Sequence, residues 1–395
     1  MERILYIIND IGFFYSHRLP IALAALEDGF EVHVAAPKHP RFVELEKLGI
    51  RCHDIGLSRS GTKIGRELSA FFGIGSLIRK VDPHLVHNVT IKPVLYGGLW
   101  SRVLKVKGNV SSVPGRGFLF TDSALKTRVI RQVALAAYRA ALKRENATVI
   151  FQNTSDESFF IDRKLIHRRQ SVLIPGSGVD LDQFHPPAEE PAGPLRILFA
   201  SRLLKEKGVL EFVQAANRFS REEADIPIEF VIAGQPDAGN PGSITAADIE
   251  AWAGEANIRY LGHVGDMAAL LRTVHMVALP SCYGEGLPRF LIEAAACGRP
   301  IITTDSPGCR DAIVPEASGL LVPIRDASAL FEAIKSLALD EARRVSMGRV
   351  ARQFAEKTFC VGQVIDRHIG IYNESQRVKT MNGWERLMGR SLRIP

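Results

Sequence analysis

The chain has 395 residues, 46% hydrophobic and 24% charged, an ordinary globular composition with material for two cores. Its five cysteines are odd in number and form no CxxC pair, which argues against a disulfide framework or a zinc ribbon. No apolar run approaches the roughly 20 residues of a membrane span, and the chain opens on a strand-like run rather than a signal peptide, so a cytoplasmic place is expected.

The net charge of +7 lies entirely in the first half. Residues 1–190 hold 26 Lys and Arg against 19 Asp and Glu, whereas residues 191–395 hold 24 of each. The excess concentrates in residues 51–150, with 17 basic and 5 acidic side chains. Such a half suits a polyanion, whether anionic lipid, diphosphate or nucleic acid, or is simply a solvated basic face.

In chain order, strand-like runs at Ile4–Ile8, Val32–Ala36, Leu85–His87, Asn109–Val113, Val149–Phe151 and Val172–Ile174 alternate with helical patterns near 16–28, 63–80, 92–104 and 124–144. Alternation of this kind predicts a parallel sheet covered by helices on both faces. After the first strand, Gly12 permits close backbone approach to a ligand, and His17 and Arg18 fall in the first turn of the next helix. His17 suits a general base, an acceptor-phosphate contact or a packing histidine. His87 ends a strand, where side chains meet a cleft, and Pro114-Gly-Arg-Gly-Phe118 offers an anion cradle through Arg116. Residues 63–80 and 126–144 are basic amphipathic helices that suit either the core or an anionic bilayer. Asp180-Leu-Asp182 resembles a metal site but leads into the Pro-rich segment 186–194, away from the other candidates.

A second alternation starts at Leu195–Ala200 and continues through Phe230–Ala233, Met276–Leu279, Ile301–Thr303 and Leu320–Val322. Ser201-Arg-Leu-Leu-Lys-Glu-Lys-Gly208 places Arg202 and Lys207 at the carboxyl end of its first strand, where they can neutralise a diphosphate. Tyr283-Gly-Glu-Gly-Leu-Pro-Arg-Phe-Leu-Ile-Glu293 sets two carboxylates eight residues apart across a loop-to-helix junction. Gly284, Gly286 and Pro288 hold Glu285 in the loop, Pro288 suits the first helical position, and Gly298 suits a left-handed cap. Glu293 then lies about 7.5 Å along the helix axis. The intervening helix N-terminus favours phosphate, so the flanking acceptors suit sugar and ribose hydroxyls.

Together these residues resemble the retaining glycosyltransferases of family four over about residues 1–375, most specifically in Glu285-x7-Glu293 and in Ser201–Gly208. Phe13-Phe-x-Ser-His-Arg-Leu-Pro, Val89-Thr-Ile-Lys-Pro and Val113-Pro-Gly-Arg-Gly-Phe resemble the subgroup acting on polyprenyl-diphosphate-linked sugars in surface polysaccharide, O-chain or glycan synthesis. The resemblance implies an α/β GT-B fold, two Rossmann-like doubly wound parallel-sheet domains facing across a cleft. The acceptor domain would span 1–185, with the linker at 186–194. The donor domain would span 195–360, followed by a helix returning over 361–378 and a basic tail at 379–395.

It further implies a nucleoside-diphosphate sugar, commonly UDP-linked, as donor, the cytoplasmic membrane surface with its anionic lipid as partner, no nucleic acid, and neither metal nor cofactor. Glu285 would contact the donor sugar, Glu293 the ribose, and Gly286 and Leu287 the donor between them. Arg202 and Lys207 would hold the diphosphate, the base would pack near Gly234 and His263, and Gly12 would let the first loop close. Ser112 stands where many members carry a donor-contacting histidine, which leaves the roles of His17, His87 and Arg116 open. Competing readings are a soluble acceptor, a nucleotide-sugar epimerase or hydrolase, and a non-enzymatic lipid- or nucleic-acid-binding module.

Overall fold

The computed structural model describes residues 1–57, 64–115, 125–237, 239–253 and 257–388, with the side chains of 64, 125–130, 253 and 376–388 excepted. The described chain forms two compact units. The first holds Met1–Pro114, the stretch that ends at Ile174, and the chain from Gly362 onward; the second holds Gly115 and Pro175–Val361.

The first unit is built on seven parallel strands, β1 (Arg3–Ile7), β2 (Glu31–Ala36), β3 (Arg51–Asp54), β4 (Leu85–Val89), β5 (Gly108–Val113), β6 (Ala147–Phe151) and β7 (Ser171–Leu173). They lie in the order β3-β2-β1-β4-β5-β6-β7. The second unit has six, β8 (Leu195–Ala200), β9 (Ile228–Ala233), β10 (Ile258–Gly262), β11 (Met276–Leu279), β12 (Ile301–Thr304) and β13 (Gly319–Val322), ordered β10-β9-β8-β11-β12-β13. Strand order reverses between β1 and β4 in one sheet and between β8 and β11 in the other, the positions where doubly wound sheets take ligands. The central strands read as continuous apolar runs because helices bury both faces. β3 and β10 fall outside the apolar pattern for a physical reason. Each is a sheet edge, and RCHD of β3 is half-exposed along its length.

The helix expected over 16–28 is two helices, Ile11–His17 and Leu19–Glu27, because Pro20 cannot donate to an unbroken ladder. His17 therefore ends the first helix instead of opening the second. The helix Ile64–Val81 buries Ala70, Ile74 and Ile78 and leaves Leu68 and Phe72, one turn apart, 52% and 59% exposed. The helix Leu125–Leu142 buries Tyr138, Ala141 and Leu142. No helix of the described residues is long and apolar enough to cross a membrane.

The division between units falls at Ile174–Pro175, earlier than the Pro-rich segment. That segment is strapped to the second unit. Within it Glu190 is held by buried Arg299 at 3.1 Å and the Pro191 carbonyl lies 2.9 Å from His275 Nε2, and just before it Arg352 donates to the Phe184 carbonyl at 2.8 Å. All but the first residue of the helix Val361–Met388 belongs to the first unit.

That helix closes a polar cluster inside the first unit. Tyr372 Oη bonds Tyr6 Oη at 2.9 Å and His87 Nδ1 at 2.7 Å, and His87 Nε2 bonds Ser112 Oγ at 2.8 Å. His87 thus sits mid-strand in β4, fully buried with both ring nitrogens engaged, and is a core histidine rather than a strand-end group. Its neighbour His368 bonds the Val364 carbonyl through Nδ1, while its Nε2 is buried without a partner. Arg18 is also buried, and its Nη1 donates to the carbonyl of His17 at 3.0 Å.

Burial, then the positive charge of Arg18, hold both histidines neutral, His368 with its pKa lowered to about 3. The folded state binds fewer protons than the unfolded chain, whose histidines titrate near 6.5. Stability contributed by neutral His368 is therefore complete above about pH 6.5 and falls as pH drops towards 3. By pH 5 that single group costs about 2 kcal/mol. Thermal melts between pH 7.5 and 5 should show wild type losing stability, and His368→Leu should lose less by about that amount; equal slopes would refute the assignment.

Candidate donor site of the second unit

Sequence places the chemistry in the loops that follow the two strands at the reversal. After β8 the chain bends at Ser201, is extended at Leu204, turns tightly over Lys205–Lys207, and enters the helix Val209–Glu222 through Gly208. Gly208 is left-handed, with φ +82°, and lies so close to the Pro280 carbonyl that no side chain fits. This approach joins the loop after β8 to the loop after β11. A further bond reinforces the junction, Cys282 N to the Glu206 carbonyl at 2.9 Å, and Ser281 Oγ lies 3.2 Å from the same carbonyl.

Across that junction Lys207 Nζ forms an ion pair with Glu285 Oε1, and Ser281 Oγ donates to the same oxygen at 3.0 Å. The two side chains are 11% and 12% exposed, so the pair is largely withdrawn from water while still reachable. Lys207 also lies 5.4 Å from the centre of the Tyr283 ring. The loop carrying Glu285 is supported from below by Gly308, whose left-handed backbone (φ +83°) packs directly on the carbonyls of Glu285 and Gly286. Asp311 fixes that support by accepting from Gly308 N at 2.9 Å.

The helix Arg289–Ala296 starts one residue later than expected. Pro288 is its N-cap, in extended conformation, and no side chain caps it. Glu293 is the fifth helical residue, and Gly298 takes the expected left-handed conformation at φ +66°. Glu293 is buried and accepts from Arg289 Nε at 2.6 Å. Burial raises its pKa, and Arg289 opposes the rise only in part. Leu287 is buried beside Gly176, so its side chain serves packing, and Gly286 is buried as well.

Arg202 stands apart from the Lys207–Glu285 pair. Its Nη1 donates to Asp237 Oδ2 at 2.6 Å, with the two side chains 39% and 26% exposed. The neighbouring Gly234 accepts from Tyr260 Oη at 3.0 Å through its carbonyl, and His263 is exposed. Asp180 caps its own turn, accepting from Asp182 N at 2.9 Å and Gln183 N at 3.2 Å. Among the described residues no group of three or more His, Cys, Asp and Glu is placed to hold a metal.

In the first unit Gly12 is exposed in the first turn of Ile11–His17, where Asp10 caps Phe13 N at 3.0 Å. His17 stacks on Phe13 at 3.8 Å between ring centres, and its Nδ1 lies 2.6 Å from Ser16 Oγ. Arg116 lies outside the described residues. Ser281 and Asp237 were not among the sequence candidates. Ser281 follows β11 within two residues, a position that alone could have flagged it; Asp237 carries no motif of its own.

A largely buried ion pair is destabilising to break but near neutral to replace as a whole. Lys207→Met should therefore lower stability by about 2 kcal/mol by stranding Glu285. Adding Glu285→Gln should restore most of that loss, as read by urea denaturation. Additive losses would mean that the two side chains are not coupled.

Residues 3–154 match the family model for Glycosyl transferase 4-like proteins, and residues 181–354 that for Glycosyl transferases group 1. The N,N'-diacetylbacillosaminyl-diphospho-undecaprenol alpha-1,3-N-acetylgalactosaminyltransferase of Campylobacter jejuni is 28% identical over 86% of this chain and 90% of its own. The putative colanic acid biosynthesis glycosyltransferase WcaL of Escherichia coli K12 is 29% identical over 51% of this chain and 50% of its own. Among solved structures, sucrose-phosphate synthase from Thermosynechococcus elongatus superposes with a TM-score of 0.78 at 20% identity, covering 96% of this chain and all of that one. Each half thus matches its own glycosyltransferase family model, Glycosyl transferase 4-like in the first and Glycosyl transferases group 1 in the second, on a chain with the GT-B fold.

Proposed function

We propose that the protein transfers a hexose or N-acetylhexosamine from a UDP-linked donor to a polyprenyl-diphosphate-linked saccharide, with retention of anomeric configuration, in surface polysaccharide or glycan synthesis. The observation that carries this reading is the Lys207–Glu285 pair at the β8–β11 reversal, with Arg202 on the same loop. A cation suited to a diphosphate beside a carboxylate suited to sugar hydroxyls supports it. In this reading Glu285 orients the donor sugar and Glu293 the ribose. Arg202 and Lys207, in place of a metal ion, meet the negative charge that grows on the leaving phosphate. The acceptor hydroxyl attacks on the face the phosphate leaves, and a phosphate oxygen takes its proton.

The acceptor class is supported by the name of the Campylobacter relative, matched over most of both chains. Work at an anionic membrane surface is supported by the basic stretch 51–150 and by Leu68 and Phe72 standing exposed on one helix face.

Glu285→Ala and Arg202→Ala should each lower kcat about 100-fold or more, the scale of losing one charge-stabilising group, while the protein stays folded. Glu293→Gln should weaken nucleotide binding about tenfold without lowering Tm, because an ionised carboxylate buried there costs stability at neutral pH. Purified protein offered UDP- and GDP-sugars with polyprenyl-diphosphate-linked acceptors, read by mass spectrometry, tests the whole. Glycosylated lipid from a UDP-sugar is the expected product; turnover only on soluble acceptors would overturn the acceptor assignment.

A further inference from the structure

Arg202 is held by a carboxylate although its place in the fold suits it to a phosphate. We propose that Asp237 is a built-in stand-in for the donor diphosphate: it occupies Arg202 in the free protein, competes with the incoming nucleotide, and so sets donor affinity and speeds release of the nucleoside-diphosphate product. The proposal rests on the donor-site reading above and adds to it a residue that controls how tightly that site holds its ligand.

Three observations carry it. The contact is single, Nη1 of Arg202 to Oδ2 of Asp237 at 2.6 Å, and Arg202 makes no other side-chain bond among the described residues, so most of the guanidinium fork is uncommitted. A diphosphate offers that fork several charged oxygens and a bidentate match that one carboxylate oxygen does not.

Second, the pairing is fixed by backbone rather than by a wandering side chain. Asp237 N donates to Ser243 Oγ at 2.9 Å, and Asn240 N donates to the Asp237 carbonyl at 2.8 Å. Leu203 N donates to the Gln235 carbonyl at 3.0 Å, and Ile244 N to the Leu203 carbonyl at 2.9 Å. The loop after β9 is thereby stitched to the loop that carries Arg202.

Third, stability does not explain the pair. Its side chains are 39% and 26% exposed, a setting in which ion pairs add little to folding. The same exposure lets a solute reach both groups. A bound diphosphate would then meet Arg202 already neutralised and a negative charge next to it. Binding becomes the exchange of one anion for another, weaker than binding to a free guanidinium by the strength of the Arg202–Asp237 pair.

The test titrates UDP and GDP alone into the full-length protein by calorimetry, for wild type, Asp237→Asn, Asp237→Ala and Asp237→Glu. Wild type should bind UDP; if it binds neither nucleotide, the donor-site reading itself fails, independently of Asp237. Given binding, Asp237→Asn and Asp237→Ala should each tighten Kd about fivefold, the upper range for a part-exposed charge pair. Asp237→Glu, which keeps the charge, should stay near wild type. In steady state the donor KM should fall in the Asn variant with no rise in kcat, a split that a general loss of loop order would not produce. Unchanged or weaker UDP binding in the Asn and Ala variants, or a Glu variant behaving like Asn, would overturn the proposal.

Discussion

The Lys207–Glu285 ion pair is the contact on which the second unit's site depends. It joins two loops that the chain separates by 78 residues and that only the topology brings together, because β8 and β11 become neighbours where strand order reverses. Withdrawing both charges from water is costly, and the pair persists because the attraction is short and Ser281 supplies a further donor to the same carboxylate oxygen. Once Glu285 is fixed, the rest of the loop follows. Gly308 must lie flat beneath its carbonyls, Pro288 must turn the chain, and the helix must begin at Arg289. Glu293 is then carried into the protein at a position where its ionised form is disfavoured.

The two sheets use their reversals differently. In the second unit polar groups stand in loops beyond the strand ends, where a solute can reach them. In the first unit strand residues Tyr6, His87 and Ser112 are linked through Tyr372 of the C-terminal helix into the buried chain Tyr6–Tyr372–His87–Ser112. Such a chain is satisfied by alternation of donors and acceptors, which fixes the geometry of a core but leaves nothing for a ligand. His87 therefore orders the C-terminal helix against the sheet, a structural task that its nearness to a strand end disguises.

How much of this the sequence made legible follows from the kind of signal each part carries. Apolar alternation exposed the buried strands, since a strand covered on both faces must be apolar throughout. It missed β3 and β10, which are edges and need not be. The motif residues Arg202, Lys207, Glu285 and Glu293 were legible because glycine and proline around them dictate where loops stop and helices start. Their partners were less so: Asp237 is chosen by folding with no motif of its own, and Ser281 is marked only by its place just after β11. The Pro-rich segment misled the boundary for a related reason. Proline forbids regular structure but does not forbid packing, and Arg299 and His275 bind that segment to the second unit through long-range contacts.

Charge accounting links the site to the whole chain. In the second unit three cations of these loops each face a carboxylate: Lys207 has Glu285, Arg202 has Asp237 and Arg289 has Glu293. The same balance holds along residues 191–395, with equal numbers of acidic and basic side chains. A locally neutral site exerts little field at a distance, so it cannot collect anions indiscriminately from a medium rich in phosphates. It must select by geometry, favouring a ligand whose charges and hydroxyls fit the places the carboxylates and cations already hold. The uncompensated positive charge lies instead in residues 51–150, with 17 basic and 5 acidic side chains. Net charge is thus confined to the first half of the sequence, while the second half is balanced.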